Sequence, residues 1–161
     1  MTLDAMLLQK LSEWKPGRGR QTLNLTDAAS GWTVSLAADR CDELGCLVWE
    51  LNLRRTSPLA GGDAKALQAW GERTARRATG LLEALKLIEV DAQRDEAIVR
   101  SATPTQKNND RLYYEALLTG SGMVGFRRYR GSVDGAKREQ VAFALTHEAL
   151  AKLAVDLTAD K

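Results

Sequence analysis

Apolar and polar residues alternate along three stretches in the first third of the chain. The apolar positions are Leu23 and Leu25, then Trp32, Val34 and Leu36, then Leu47, Trp49, Leu51 and Leu53. A period of two is the pattern of a strand with one buried face. The third stretch alternates most strictly, so Trp49 is predicted to share the buried face of Leu51 and Leu53. Three antiparallel strands are therefore predicted before residue 56.

Three other stretches repeat their apolar residues every three or four positions, as an amphipathic helix does. The first extends from Leu3 to Trp14. The second follows Asp63, a residue suited to cap a helix, and its apolar stripe extends from Leu67 to Leu85. Glu83 is predicted on the opposite, solvated face of this helix. The third helix follows a capping threonine and is predicted over 147–157.

A second run of strands is predicted between the second and third helices. Turns rich in glycine or polar residues separate short runs of branched and aromatic residues, which indicates hairpins. The predicted strands cover 87–90, 97–100, 111–118, 123–130 and 138–145. The polar segment 103–110 is predicted to be a mobile loop. The fold class is therefore α+β, an antiparallel meander sheet packed by three helices in the order α-βββ-α-βββββ-α.

The size and the charge of the chain limit its organisation and its partners. Its 161 residues fit a single α+β domain, 1–161, in which segment 56–62, with one proline and two glycines, is predicted to be a hinge between two sub-lobes. The 23 lysines and arginines barely exceed the 21 acidic residues, so charge alone does not indicate nucleic acid.

The location of the protein is predicted from what the chain lacks. Its first residues have no cationic start followed by a long apolar run, and no stretch approaches about eighteen apolar residues. A cytoplasmic protein without membrane contact is therefore expected. Cys41 and Cys46 are then predicted to be reduced thiols.

The loop between the second and third strands holds the first candidate metal ligands. Cys41 and Cys46 offer two sulfur atoms, but the one histidine, His147, lies far from them along the chain, and structural zinc takes four nitrogen or sulfur ligands. The same loop holds three carboxylates, Asp39, Asp42 and Glu43. Their spacing does not match a calcium-binding loop. No metal site and no cofactor are predicted.

No recognisable catalytic motif is present. The string Gly120-x-Gly122-x-x-Gly125 matches a phosphate-binding pattern in spelling. It lies between two predicted strands, however, so no helix N-terminus follows it to bind a phosphate, and a hairpin turn is predicted instead. His147 has no neighbouring nucleophile motif. The sequence therefore predicts a protein that is not an enzyme.

A basic and aromatic strand is the clearest candidate binding surface. It carries arginines around a tyrosine and lies next to a second tyrosine on the preceding strand; the residues are Tyr113, Arg127, Arg128, Tyr129 and Arg130. Arginines and aromatic rings on a sheet can hold phosphates and stack on bases. Alternatively, cross-strand pairing with Glu115 and Glu139 leaves the arginines as a solvated face.

The strand over 112–118 is partly apolar on both faces. Another part of the chain is therefore predicted to cover the second face, or a partner does, such as a second copy in an isologous homodimer.

The order helix, three-strand meander, helix, further meander and helix resembles the type III secretion chaperone-like fold. That resemblance implies a dimer-forming α+β domain that binds an extended segment of another protein along its apolar sheet surface.

The leading hypothesis is a non-enzymatic protein- or peptide-binding domain of adaptor or chaperone-like type. The Trp49 face and the Tyr113 strand are its predicted binding surfaces, by the sheet face or an exposed edge. The alternative hypothesis is a nucleic-acid-binding module that uses strand 126–130.

Overall fold

The described residues form a ten-stranded antiparallel sheet with three helices. The structure is a computed structural model that describes residues 1–132, 134–135 and 137–161. Its elements are α1 (Leu3–Glu13), β1 (Gln21–Asp27), β2 (Trp32–Cys41), β3 (Gly45–Arg55), α2 (Ala64–Arg77), β4 (Leu85–Asp91), β5 (Glu96–Ser101), β6 (Thr105–Lys107), β7 (Asp110–Thr119), β8 (Met123–Ser132), β9 (Arg138–Val141), β10 (Phe143–Thr146) and α3 (His147–Thr158). The predicted α+β fold class and the order of its helices and meanders are confirmed.

The register of the strands builds a core on one face of the sheet. Main-chain pairing along β1-β2-β3-β8-β7 aligns one apolar residue from each strand, and all of them are buried: Leu25, Val34, Leu53, Val124 and Leu118. Burying a large aliphatic side chain contributes roughly 1.5 to 3 kcal/mol before entropy is subtracted. Buried apolar residues of all three helices belong to the same core, so the helices cover this face.

The sheet divides near its middle. Strands β3 and β8 pair only between Leu51–Arg54 and Met123–Phe126. Beyond that point β9 pairs with β8, and β10 pairs with β3. The segment from β9 to β10 therefore fills the gap where the two long strands diverge, and it leads directly into α3.

The part of the chain after α2 that the structure describes has two more strands than the five predicted. Part of the polar segment predicted to be a mobile loop forms β6, which pairs with the start of β7. The last predicted strand is interrupted at Ala142, where the chain leaves β8 and joins β3. Both differences arise because the available partner strands, rather than local patterns, decide where a ladder forms.

The second helix is shorter than its apolar stripe predicts. It ends at Arg77, and Leu85 is the first residue of β4, where it pairs with Ser101. The chain bends at Gly80, a poor helix former, between these two elements. The prediction that Glu83 lies on a solvated helical face is therefore wrong, since Glu83 is buried.

A β-bulge reverses the alternation along β3. Ala37 pairs with Glu50 and Ala38 with Val48, so Trp49 has no partner on β2. Val48 and Leu51 are both buried, although their positions differ by an odd number, and Trp49 is half-buried. The prediction that Trp49 shares the face of Leu51 is wrong, because one additional residue shifts the period of two.

Backbone hydrogen bonds hold the predicted hinge segment 56–62. The N–H of Thr56 donates to the Gly31 carbonyl, and the N–H of Leu59 donates to the Ser121 carbonyl. The single domain and its hinge stay predictions. None of the helices in the described part of the chain is long and apolar enough to span a membrane.

Candidate functional site

The two predicted surface tyrosines lie side by side on the sheet face opposite the helices. Tyr113 and Tyr129 are cross-strand partners with ring centroids 5.9 Å apart. The Arg138 guanidinium lies 3.8 Å from the Tyr129 ring centroid and donates a 3.3 Å hydrogen bond to the Tyr113 hydroxyl. Arg100 lies 5.7 Å from the Tyr113 ring on the other side. The arginines of the protein itself therefore already contact these rings.

A buried glutamate joins the arginines of this face. Glu115 accepts hydrogen bonds from Arg100 at 2.6 Å and from Arg138 at 2.7 Å. Burial by itself would raise the pKa of Glu115, but these two hydrogen bonds and the two positive charges hold the pKa below its usual range. One carboxylate therefore bridges two arginines in this cluster, and Glu115 stays ionised within it.

Two arginines of β8, the half-buried Arg127 and the exposed Arg130, also have acidic partners. Arg127 donates a 2.9 Å hydrogen bond to Glu50 on β3. Arg130 pairs with Glu139 on β9 and lies 4.0 Å from Asp110. The acidic partners offset the positive charge that would otherwise attract the phosphates of a nucleic acid. The nucleic-acid hypothesis stays a prediction, and no observation on β8 strengthens it.

Arg128, the remaining arginine of the predicted surface, lies in the interior. Its two terminal nitrogens donate to the two carboxylate oxygens of Glu83 at 2.9 and 3.0 Å. Its guanidinium also lies 4.1 Å from the Tyr114 ring centroid. Arg128 is therefore not available to a partner. Sequence reasoning missed this pair because it assigned Glu83 to the solvated face of a helix.

Trp49, the last predicted site residue, lies apart from this network. The Arg20 guanidinium lies 3.7 Å from the Trp49 ring centroid, and Arg20 also donates to Asp39 at 2.8 Å. The carbonyl of Trp49 accepts a hydrogen bond from the Gln140 side chain. Trp49 is therefore a partly covered residue of the bulge and not the centre of an apolar face.

A pocket of about 300 Å³ lies beside α2 and the end of α3. Two indole rings with centroids 6.1 Å apart, those of Trp32 and Trp70, line it together with Leu67. Two arginines, Arg55 and Arg73, line it as well. An apolar pocket with a few convergent charged groups is the usual form of a small binding site.

Both tryptophans are held by specific contacts. The Trp70 Nε1–H donates a 2.9 Å hydrogen bond to the Leu157 carbonyl at the end of α3. Trp32 is a cross-strand partner of Arg55, whose guanidinium lies 4.9 Å from the Trp32 ring centroid. The pocket walls are therefore fixed by the sheet on one side and by the packing of α2 on α3 on the other.

The residues that follow α3 contact the two arginines of the pocket. Arg73 Nε donates a 2.7 Å hydrogen bond to the Ala159 carbonyl. Arg55 Nη2 lies 3.6 Å from the Asp160 carboxylate, which is 84% exposed. Burial lowers the pKa of Arg73, while the nearby Asp160 charge opposes this shift. The arginines thus bind a backbone carbonyl and a carboxylate from an extended stretch of chain.

Sequence reasoning missed this pocket. Trp70 and Arg73 are one helical turn apart on α2, a spacing that could have indicated a shared face. Trp32 and Arg55 meet only through the register of β2 with β3. No local pattern links these two pairs of residues to each other.

The cysteine loop holds a third cluster. Cys41 and Cys46 form a disulfide, so the prediction of reduced thiols is wrong for this state of the protein. His147 Nε2 lies 3.7 Å from Cys41 Sγ, although the sequence analysis set His147 apart from the cysteines. The pairing of β10 with β3 carries His147 to this loop. Among the residues that the structure describes, Cys41, Cys46 and His147 form a group whose ligand atoms are close enough together to hold a metal ion.

Comparison with known proteins identifies no relative of this chain. No family model matches it, no curated protein matches it, and no solved structure matches it. The resemblance to the type III secretion chaperone-like fold therefore stays a prediction. A proposal about function therefore rests on the local chemistry of the sites.

Proposed function

We propose that this chain is a non-enzymatic binding domain that holds a short acidic segment of another protein at the pocket between Trp32 and Trp70. The observation that carries the proposal is the contact of Arg73 with the Ala159 carbonyl and of Arg55 with the Asp160 carboxylate. The chain's own extended residues thus occupy the positions that a bound peptide would take. The class of function is the one predicted from the sequence, with a different binding surface.

The two arginines supply the polar part of recognition. An arginine can donate charge-assisted hydrogen bonds to a carboxylate or a carbonyl, and these are stronger than neutral ones. Arg73 already donates to a backbone carbonyl, and Arg55 is held over the Trp32 ring. A partner segment would therefore place a carbonyl at Arg73 and an acidic side chain at Arg55.

The indole rings supply the apolar part. At about 300 Å³ the pocket is at the small end of ligand sites and matches one large apolar side chain better than a whole cofactor. The residues of the chain's own C-terminal segment that line the pocket, Thr158 and Ala159, have small side chains. A segment with a large apolar residue beside its acidic residue would fill the pocket better and displace the chain's own residues.

The pocket chemistry favours binding over catalysis. Its titratable lining residues in the described chain are Arg55, Arg73 and Asp63. Asp63 caps α2 by accepting the N–H of Ala66 at 3.1 Å, so its carboxylate already has a structural role. Arginine stays protonated and is a poor general base. These residues can hold an anionic group but have no evident route to proton transfer.

Fluorescence anisotropy with short labelled peptides tests the proposal. Peptides that carry tryptophan, phenylalanine or leucine beside aspartate are compared with peptides in which asparagine replaces the aspartate. We expect the acidic peptides to bind, and Arg55→Gln and Arg73→Gln each to weaken binding about tenfold or more, since a hydrogen bond to a charged group contributes roughly 1.5 to 3 kcal/mol.

Arg54→Gln is the matched control, because Arg54 is the exposed neighbour of Arg55 and does not line the pocket. We expect this variant to bind as the wild type does. Asp160→Asn removes the internal competitor at Arg55 and is expected to strengthen binding slightly. Acidic peptides that fail to bind, or that bind equally well to Arg55→Gln and Arg73→Gln, would contradict the proposal.

A further inference from the structure

Two sulfur atoms and one imidazole nitrogen meet beside the hairpin that joins β2 to β3. Cys41 Sγ, Cys46 Sγ and a ring nitrogen of His147 all lie within 4.8 Å of one another. Cys46 and His147 are buried, and Cys41 is half-buried. The cluster is separate from the pocket between Trp32 and Trp70, so the inference drawn from it is independent of the proposed function.

The fold holds these three residues together through main-chain pairing. Cys41 and Cys46 are cross-strand partners at the end of the β2–β3 ladder. On its other side Cys46 pairs with Leu145 of β10. The N–H of His147 donates a 3.1 Å hydrogen bond to the Leu44 carbonyl in the cysteine loop. His147 is therefore positioned by the sheet and by the start of α3 at once.

Close backbone approach is part of this arrangement. A Cβ atom at Gly45 would lie 2.5 Å from the Leu145 carbonyl oxygen. Only a glycine there lets β10 approach β3 closely enough to deliver His147. The loop is thus shaped to bring the imidazole onto the cysteine pair.

We propose that the reduced form of this cluster binds a zinc-class divalent cation through Cys41 Sγ, Cys46 Sγ and His147 Nε2. A tetrahedral zinc ion, with bonds of about 2.3 Å to sulfur and about 2.0 Å to nitrogen, holds a sulfur and a nitrogen ligand about 3.5 Å apart. The distance from Cys41 Sγ to His147 Nε2 is 3.7 Å. Two thiolates and an imidazole are the donor set that zinc prefers.

The disulfide makes this site dependent on reduction. A dithiol reductant passes two electrons and two protons to the disulfide, so the bond between the two sulfur atoms breaks, Cys41 and Cys46 become thiols, and the reductant becomes a cyclic disulfide. Binding of the cation then releases the two thiol protons to water, and neutral His147 donates its Nε2 lone pair. Oxidation and metal binding therefore exclude each other.

The fourth position of the cation is open to solvent. A surface pocket of about 410 Å³, lined by Asp42, Cys46 and Thr146, adjoins the cluster. The Asp42 carboxylate already accepts the N–H groups of Leu44 at 2.8 Å and Gly45 at 3.0 Å within the loop. Three protein ligands leave a coordination position for water or an exchangeable ligand.

Titration with Co²⁺ tests the proposal, because tetrahedral cobalt with thiolate ligands has characteristic visible and sulfur-to-metal absorption bands. The full chain is reduced with a dithiol reductant, freed of that reductant and kept without oxygen. We expect one Co²⁺ per chain, displaced by Zn²⁺, and no such bands with the oxidised protein. Reduced protein without thiolate bands, or oxidised protein that binds equally well, would overturn the proposal.

Single variants assign the ligands. Cys41→Ser and His147→Gln are each expected to weaken Co²⁺ binding at least about tenfold. Loss of a residue that only hydrogen-bonds to a metal ligand already lowers metal affinity by about that factor. Glu43→Gln, an exposed acid of the same loop, is the control and should bind as the wild type does. Circular dichroism verifies that each variant folds. If His147→Gln binds Co²⁺ with unchanged affinity, His147 is not a ligand and the proposed site is wrong.

Discussion

Arg128 and Glu83 form a bidentate ion pair inside the protein. The two hydrogen bonds measure 2.9 and 3.0 Å, and only 6% and 5% of the side chains are exposed. Ser101 donates to one oxygen of Glu83 at 2.8 Å, and Thr105 donates to the other at 2.7 Å. The pair thus connects the segment after α2 with β8, and every carboxylate oxygen has more than one donor.

Loss of the Glu83 charge should destabilise the fold. Glu83→Gln leaves the Arg128 cation buried without its counter-charge, and breaking a buried pair in this way costs about 3 to 5 kcal/mol. Urea unfolding measures the free energy directly. Glu139→Gln, which removes the 61% exposed partner of Arg130, is the control and should leave stability unchanged. Equal effects of the two variants would show that burial of the first pair is unimportant.

Stability should fall in acid because of Glu83 and Glu115. Burial alone would raise both pKa values, but hydrogen bonds from Arg128, Thr105 and Ser101 to Glu83, and from Arg138 and Arg100 to Glu115, outweigh it and lower them. The folded protein therefore binds these protons less readily than the unfolded chain, whose glutamates have the ordinary pKa of 4.5.

The stabilisation from these carboxylates is therefore complete above the ordinary pKa and is lost as the pH falls through the lowered values. We expect the free energy of unfolding in urea to decrease progressively below about pH 4.5. The free energy of unfolding of Glu83→Gln should decrease less steeply with falling pH, because this variant has one such carboxylate fewer. Parallel curves for the wild type and this variant would contradict the assignment.

A methyl group at Gly45 should separate β10 from β3. The added Cβ would lie 2.5 Å from the Leu145 carbonyl oxygen, and a backbone atom cannot yield as a flexible side chain can. Gly45→Ala is expected to lower stability by about 1 to 3 kcal/mol. Gly17→Ala is the control, since nothing lies within 4 Å of its added Cβ. Thermal unfolding compares the two, and equal melting temperatures would contradict the expectation.

The predicted homodimer can be tested on the sheet face that the helices leave uncovered. Leu117 lies there between its partners Gly125 and Ile98, and Leu117 is half-exposed. If two copies pair through this face, light scattering will give a mass near twice 17.7 kDa, and Leu117→Lys will restore the monomer. Leu82→Lys, at an 81% exposed leucine outside the sheet, is the matched control. A wild-type monomer at all concentrations would contradict the prediction.

The arginines of β8 should add little affinity for nucleic acid. Arg127, Arg128 and Arg130 each have an acidic partner, so a phosphate would have to compete with Glu50, Glu83 or Glu139. We expect a labelled single-stranded oligonucleotide to bind the wild type no more tightly than Arg127→Ala combined with Arg130→Ala. Tighter wild-type binding that falls steeply with salt would favour the nucleic-acid hypothesis instead.

The sequence by itself determined the elements whose signals are local. Alternation of apolar and polar residues located β1 and β2, and capping residues located the starts of α2 and α3: Asp63 accepts the N–H of Ala66, and Thr146 accepts the N–H of Ala149. These signals involve residues within a few positions of each other, so the chain carries them whatever its tertiary structure. They were enough to predict the α+β class.

Only the tertiary structure decided where distant residues meet. The bulge at Trp49, the end of α2 at Arg77 and the approach of His147 to Cys41 all depend on which strands pair and in which register. Register across β3, β8 and β10 is set by burial of the whole sheet face, and a shift of one residue would reverse every side chain. Residue spacing therefore determined the elements, and long-range packing determined the sites.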